Sequence, residues 1–303
     1  MAEVVLVHGI AQEQKSADGL EADWLPSLAG GVRVAGYPEL ADRLWRTRDI
    51  DVRMAFYGDL FLPRDQQGGA EELTGAEWEF AEQLGLEWLR RAAEDASRES
   101  ERVAAARELD GQAGEPQGAR ATLRPVINSL TRVKPFARFG VALAERVVVK
   151  ALRQVTRYLT DEDTRMEVQR RVGALIGEDT KVVVAHSLGS VVAYEAAHQL
   201  GHPLPLLVTC GSPLGLRSVV YDRLRPQPPA VPPRLGRWVN VVDQDDLVAA
   251  RPELTSMFPG AHGVLESVYT VDNGAKPHEA GFYLAKRQIG LPVAETLTGL
   301  HSQ

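Results

Sequence analysis

The run KVVVAHSLGSVVAYEAA, Lys181 to Ala197, places a serine where a buried strand gives way at once to a helix. Its apolar opening reads as a strand, His186, Ser187 and Leu188 make the junction, and the residues that follow read as a helix. This is the context of the G-x-S-x-G pattern, in which serine occupies a strained turn that lifts its hydroxyl clear of the sheet. Such a hydroxyl attacks a carbonyl carbon once a base takes its proton. The helix N-terminus behind it offers free N–H groups and a partial positive charge to the oxyanion that forms. The flanking positions must be small because strand and helix backbones pass close together. Gly189 meets that need on one side, and on the other Ala185 stands where the pattern has its first glycine. Alanine still fits most such crossings.

A base and an acid must come from elsewhere, and seven histidines compete for the first role. His8 follows the first strand and His186 adjoins the serine; both suit packing and hydrogen bonding around a site better than proton transfer. His198 and His202 fall on or just after the helix behind Ser187, where a surface or core role suffices. His262, His278 and His301 lie late in the chain. Carboxylates cluster at Asp243, Asp245 and Asp246, directly after an apolar strand. Cys210 ends a strand without a cue for activation and reads as a small buried hydrophobe. Ser212 reads as a partner for backbone, and Asp59, in FYGDLF, either lines a site or bonds to its own turn. Neither a metal-ligand spacing nor a G-x-x-x-x-G-K motif is present, so neither metal nor cofactor is expected.

The elements that must position these residues alternate. Strands are predicted at Val4 to Val7 and Val52 to Tyr57, with helices around Leu20 to Val32 and Pro38 to Trp45 between them. After Ser187, PLPLLVTCGSPLG reads as strand then loop, RWVNVVDQDDLVAA as strand then acidic loop, and ESVYTVDNGAKPHEAGFYLAKRQ as strand, loop and helix. Strands alternating with helices imply a mostly parallel sheet covered on both faces, and the unbroken runs VVLV, VVVA and PLLVT fit strands buried on both sides. Ligands of such sheets collect at the carboxyl ends of the strands.

Between Arg64 and Asp179 the pattern turns helical. A capping box, Thr74 to Glu77, opens a helix striped by Trp78, Ala81, Leu84, Trp88 and Ala92. Gly111 to Ala119 reads as a flexible joint, and a second helical block runs from Pro125 to Leu159. A third helix starts at Asp161, places Val168, Val172, Leu175 and Ile176 on one face toward the sheet, and takes Gly177 as its C-terminal cap. Residues 64–170 thus form a helical insertion, a cap or lid long enough to bury a core of its own, within a core made of residues 1–63 and 171–303.

Bulk properties exclude some classes. A formal charge of −7 over 303 residues and a pI near 5.6 argue against a nucleic-acid binder, which needs a basic face. Apolar runs fall short of the about 18 residues of a membrane span. A single cysteine cannot form an internal disulfide, and MAEVVLVHGI has no basic leader, so a cytoplasmic home is expected.

VVLVHGI, AHSLGSVVAYEAA, TCGSPLGL, VNVVDQDDLVA and KPHEAGFYL together resemble the α/β-hydrolase superfamily, in its lipase and esterase branch. The resemblance covers about Val4 to Tyr57 and Glu178 to Leu284, and it begins at the strand with the HG turn, as in small six-stranded members. It implies an α/β-hydrolase fold: a mostly parallel sheet of about six strands flanked by helices, with a helical cap or lid as the insertion. The family order of serine, acid, histidine then selects His278, whose PHEAGFYL resembles the histidine loop, over His262 and over His301 in the tail. By the family's D-x-V pattern the acid is Asp246, with Asp243 the alternative. Backbone N–H groups of Leu188 and, by resemblance, Ile10 would form the oxyanion hole. The implied activity is serine-dependent cleavage of a carboxylic ester with a small-molecule or lipid-like acyl substrate. Thioester or peptide cleavage is the alternative, or a scaffold working through protein contacts of the insertion.

Overall fold

Runs such as VVLV and VVVA have no polar face to turn toward water, and each becomes a strand buried on both sides. The computed structural model describes residues 2–62, 75–96, 98–112, 119–130, 141–249 and 253–299. Its strands are β1 (Val4–Val7), β2 (Val52–Ala55), β3 (Val182–His186), β4 (Leu204–Cys210), β5 (Leu235–Asp243) and β6 (Leu265–Val271). They form one six-stranded sheet in the order β2-β1-β3-β4-β5-β6, parallel at every pairing. The helices are α1 (Ala17–Val34), α2 (Pro38–Trp45), α3 (Gly75–Asp95), α4 (Glu99–Gln112), α5 (Ala119–Leu130), α6 (Val141–Thr160), α7 (Glu162–Gly173), α8 (Leu188–His198), α9 (Ala280–Leu284) and α10 (Arg287–Thr298).

The two-residue period of a strand sorts its side chains between two cores. Val4, Leu6, Val182, Val184, Leu206 and Val208 pack with residues of α1, α2, α9 and α10 on one face. Val5, Val7, Val183, Ala185 and Leu207 pack on the other, with α8 and the helices between β2 and β3. From β1 the chain runs out to the edge strand β2 and returns to β3 on the opposite side of β1. The carboxyl ends of β1 and β3 therefore flank the point where strand order reverses, the position at which open α/β sheets bind ligands.

Among the described residues the insertion shares its core with the sheet. Phe80, Trp88, Leu89, Val126, Leu130 and Leu152 share one buried cluster with Val5, Val7 and Val183. The dimensions explain this: six strands about 4.8 Å apart span about 24 Å, and one helix about 10 Å wide covers less than half of that. α8 alone leaves apolar sheet uncovered, and the stripe Ala81, Leu84, Trp88, Ala92 supplies part of the cover.

Several local expectations change. β2 ends at Ala55, because the Tyr57 N–H turns to bond His8 Nε2 at 3.1 Å. Thr74 lies outside the described residues, as do 113–118 of the expected joint and 131–140 of the second helical block; Gly111 and Ala119 are helical. Pro125 sits inside α5 and does not open a helix. α7 is capped at its start as expected, Asp161 accepting from the Thr164 N–H at 2.7 Å, but ends at Gly173 and not at Gly177. The chain there tightens through Leu175 N–H to Val172 O, and the Gly177 N–H goes to Thr180 Oγ at 3.0 Å in the turn leading to β3. α7 packs against α6 and α8, and its Val168 and Val172 join the buried cluster that holds Val5, Val7 and Val183 of the sheet.

One buried ion pair fastens this layer to the helix behind Ser187. Arg165 of α7 grips Glu195 of α8 with two nitrogens, Nε at 3.0 Å, and both side chains are almost wholly buried. Glu195 also accepts from Tyr158 of α6 at 2.6 Å and from the Arg225 N–H at 3.1 Å. Removing one partner strands a buried charge, so Glu195→Ala should cost about 3–5 kcal/mol of stability, read from urea unfolding. A loss below about 1 kcal/mol, the usual value of exposed pairs, would show that the pair is not a structural anchor.

Candidate active site

Ser187 joins β3 to α8 with φ 56° and ψ −131°, a conformation costly for any residue with a side chain. Packing on both sides enforces it. Its N–H is held by Cys210 O at 3.0 Å, and the residue is 3% exposed. The neighbouring turn after β1 lies so close that a Cβ on Gly9 would fall 2.6 Å from Ser187 Cβ, and one on Gly189 2.5 Å from Val7 O and His8 O. Only glycine fits at these two points. Ala185 is tolerated because its methyl enters the buried cluster with Val7.

His278, in the loop between β6 and α9, reaches Ser187 Oγ with Nε2 at 3.0 Å. Its Nδ1 lies 2.9 and 2.8 Å from the two oxygens of Asp246. Asp246 is fully buried and also accepts from Tyr283 Oη at 2.8 Å and from the N–H groups of Val248 and Ala249 at 3.2 and 3.3 Å. Burial by itself pushes its carboxyl up; the His278 imidazole and the bonds from His278 and Tyr283 outweigh that and hold it below the usual carboxylate range. An ionised carboxylate only accepts, so Nδ1 carries the hydrogen and Nε2 is free to accept the serine proton.

The structure separates the two acid candidates. Asp243 forms no hydrogen bond with His278; its oxygens accept from the N–H groups of Asp245, at 2.8 Å, and Asn273. Asn273 in turn donates to Pro277 O at 3.0 Å, so Asp243 ties the end of β5 to the loop that presents His278. Tyr283, which no motif marked, donates to Asp246 and accepts from the Asp243 N–H at 2.9 Å. Its place five residues after His278, on the short helix that follows, was the available signal.

The other histidines stay apart from the serine hydroxyl. His186 is buried with its ring 4.8 Å from that of His278; burial first and the charge of His278 second push its pKa down to about 3. His8 is buried, donates from Nδ1 to Gly9 O at 2.7 Å and accepts at Nε2 from Tyr57; burial pushes its pKa down to about 4. Both rings are therefore uncharged at neutral pH. His198 bonds Ala230 O at 3.1 Å, His202 is half-buried, His262 is exposed, and His301 lies outside the described residues. Cys210 is buried and its thiol pKa raised by burial, and Ser212 Oγ accepts from the Leu214 N–H at 3.3 Å. The Asp59 carboxylate pairs with Arg171 of α7 and, among the described residues, makes no bond to its own turn.

Leu188 and Ile10 lie in the two touching turns, and among the described residues neither of their N–H groups donates to a protein acceptor. The next donor, Ala11 N–H, is taken by Gln154 Oε1 at 2.7 Å. The arrangement can transfer a serine proton to His278 and place an oxyanion against backbone donors. Among the described residues no group of three His, Cys, Asp or Glu side chains could hold a metal ion, and no helix is long and apolar enough to cross a membrane. Comparison of the chain with protein families, characterised proteins and solved structures returns no match. The geometry therefore carries the functional reading alone.

The buried neutral histidines make an acid-stability prediction. Unfolded, each binds a proton below about pH 6.5, the ordinary histidine value; folded, His8 and His186 do so only near 4 and 3. The unfolded state thus binds more protons between these limits, and stability falls as pH drops from 6.5. Each should cost about 2 kcal/mol at pH 5 relative to pH 8. Urea unfolding at the two pH values measures the sum, and His186→Leu should remove about half of it.

Proposed function

We propose that the chain is a serine hydrolase with an α/β-hydrolase fold that cleaves a carboxylic ester through an acyl-enzyme. The observation that carries this reading is the unbroken hydrogen-bonded line from Asp246 through His278 to the hydroxyl of Ser187, a serine held at positive φ beside two free N–H groups. No structural purpose calls for a strained serine, a buried carboxylate and an imidazole in that order. Ser187 Oγ attacks the ester carbonyl as His278 Nε2 takes its proton. Asp246 keeps the ring oriented and stabilises the imidazolium. The Leu188 and Ile10 N–H groups receive the oxyanion, each worth about 10²–10³ in rate. His278 returns the proton to the departing alcohol, then activates the water that releases the acid.

The preference for an ester over a thioester or peptide rests on the lipase-like motifs. A fluorophosphonate probe and p-nitrophenyl esters of increasing acyl length test the whole reading. Wild type should be labelled and turn over ester, and Ser187→Ala should be unlabelled and lose about 10⁴-fold or more. Equal labelling of Ser187→Ala would refute the nucleophile, and labelling without turnover of any ester would move the assignment to thioesters or peptides. Asp246→Asn should lower kcat by about 10⁴-fold, against a smaller loss in Asp243→Asn that follows stability. Turnover should also fall on acidification across the histidine range of about pH 5–8; a flat profile there sinks the role of His278.

A further inference from the structure

The turn that carries Ile10 is held in shape from outside the sheet. Gly9 O accepts from His8 Nδ1 at 2.7 Å, and Ile10 O accepts from Gln12 Nε2 at 3.0 Å. Ala11 has φ 61°, in the left-handed region that disfavours alanine, and its N–H donates to Gln154 Oε1 at 2.7 Å. The peptide between Ile10 and Ala11 is thus bonded at both its oxygen and its nitrogen. In the peptide before it the oxygen is bonded and the Ile10 N–H is left for a ligand. Gln154 belongs to α6 of the insertion and is 5% exposed. Its own Nε2 donates to Glu13 Oε2 at 2.9 Å, and Glu13, also buried, pairs with Lys150 one turn earlier on α6. The amide therefore has one orientation: the carboxylate of Glu13 claims the NH₂, which leaves the carbonyl oxygen for Ala11.

We infer that Gln154 is a positioning residue for the oxyanion hole, through which the helical insertion sets the direction of the Ile10 N–H. The inference rests on the hydrolase reading and deepens it: the insertion completes the reacting site as well as covering the sheet. Without the acceptor at position 154, Ala11 has no bond to offset its left-handed backbone. The peptide between Ile10 and Ala11 then relaxes, and the Ile10 N–H swings off the oxyanion. The donor matters more to the transition state than to bound substrate, so the loss belongs in kcat and not in KM.

The test measures p-nitrophenyl ester kinetics, fluorophosphonate labelling rate and urea unfolding for four full-length proteins. In Gln154→Leu, kcat and labelling rate should fall by about 10- to 100-fold, up to the worth of one donor, with KM within about twofold. Gln154→Glu sets two carboxylates together and should also lose rate. The double variant Gln154→Glu with Glu13→Gln exchanges the two groups, restores a donor and acceptor in opposite order, and should recover most of it. Urea unfolding separates the two causes, since rate loss in a Gln154→Glu protein as stable as the double variant is a loss of positioning; the double variant keeps the test alive if Gln154→Leu does not fold. Wild-type kcat and labelling in folded Gln154→Leu, or rate loss that the exchange leaves in place, would overturn the inference while wild-type labelling at Ser187 leaves the hydrolase reading standing. A wild-type protein that the probe does not label overturns both.

Discussion

The site depends on two backbone turns touching with no side chain between them. β1 and β3 are parallel neighbours with Val7 opposite Ala185, so the residues just beyond their ends, Gly9 and Ser187, meet at the strand-order reversal. A slip of one residue would separate the turns and turn Val5, Val7, Val183 and Ala185 to the wrong face. The register is held because both faces are buried. The strain at Ser187 persists for the same reason: its N–H is bonded to β4, and its Cβ and the Gly189 backbone are pressed against the first turn. Relaxing φ would break packing on both sides.

That packing also sorts three imidazoles of the same chemistry. His8 and His186 are buried, and burial keeps them neutral although the charges of Asp59 and Asp246 pull the other way. His278 meets Asp246 at one nitrogen and the serine hydroxyl at the other, and among the described residues it is the one ring that bridges a carboxylate and a serine. A neutral His186 beside it adds no second charge to the site. Asp243 and Tyr283 hold the arrangement from behind, one by ordering the histidine loop and the other by bonding the acid.

The insertion enters this design as structure. Its apolar stripes finish the cover of the sheet, Arg165 fastens it to Glu195 of α8, and Gln154 reaches the first turn. Helix α8 and the turn after β1 are both braced by the inserted helices. A rearrangement of α6 or α7 would be felt at the serine.

Much of this was legible in the chain. The buried strands announced themselves as unbroken apolar runs, and Ser187 was marked by the abrupt change from strand to helix. His278 and Asp246 were ranked by motif order, because spacing alone cannot say which of several loops arrive at one point. Strand order decided that: it brings the loop after β6 and the acidic loop after β5 to the serine's side of the sheet. The close approach of Gly9, the roles of Asp243 and Tyr283, and the bond from Ala11 to Gln154 were invisible, since each joins residues whose partners no local pattern reveals. The insertion's stripe at Trp78 to Ala92 was readable as a buried face, but what it buried against was not. Periodicity gives a helix its apolar side; only the width of the sheet left uncovered by α8 determined that the side would finish the main core. The amino-acid sequence by itself thus determined the elements and singled out Ser187, and the tertiary structure decided which carboxylate and imidazole line up with it, because convergence follows from register and strand order and not from neighbourhood in the chain.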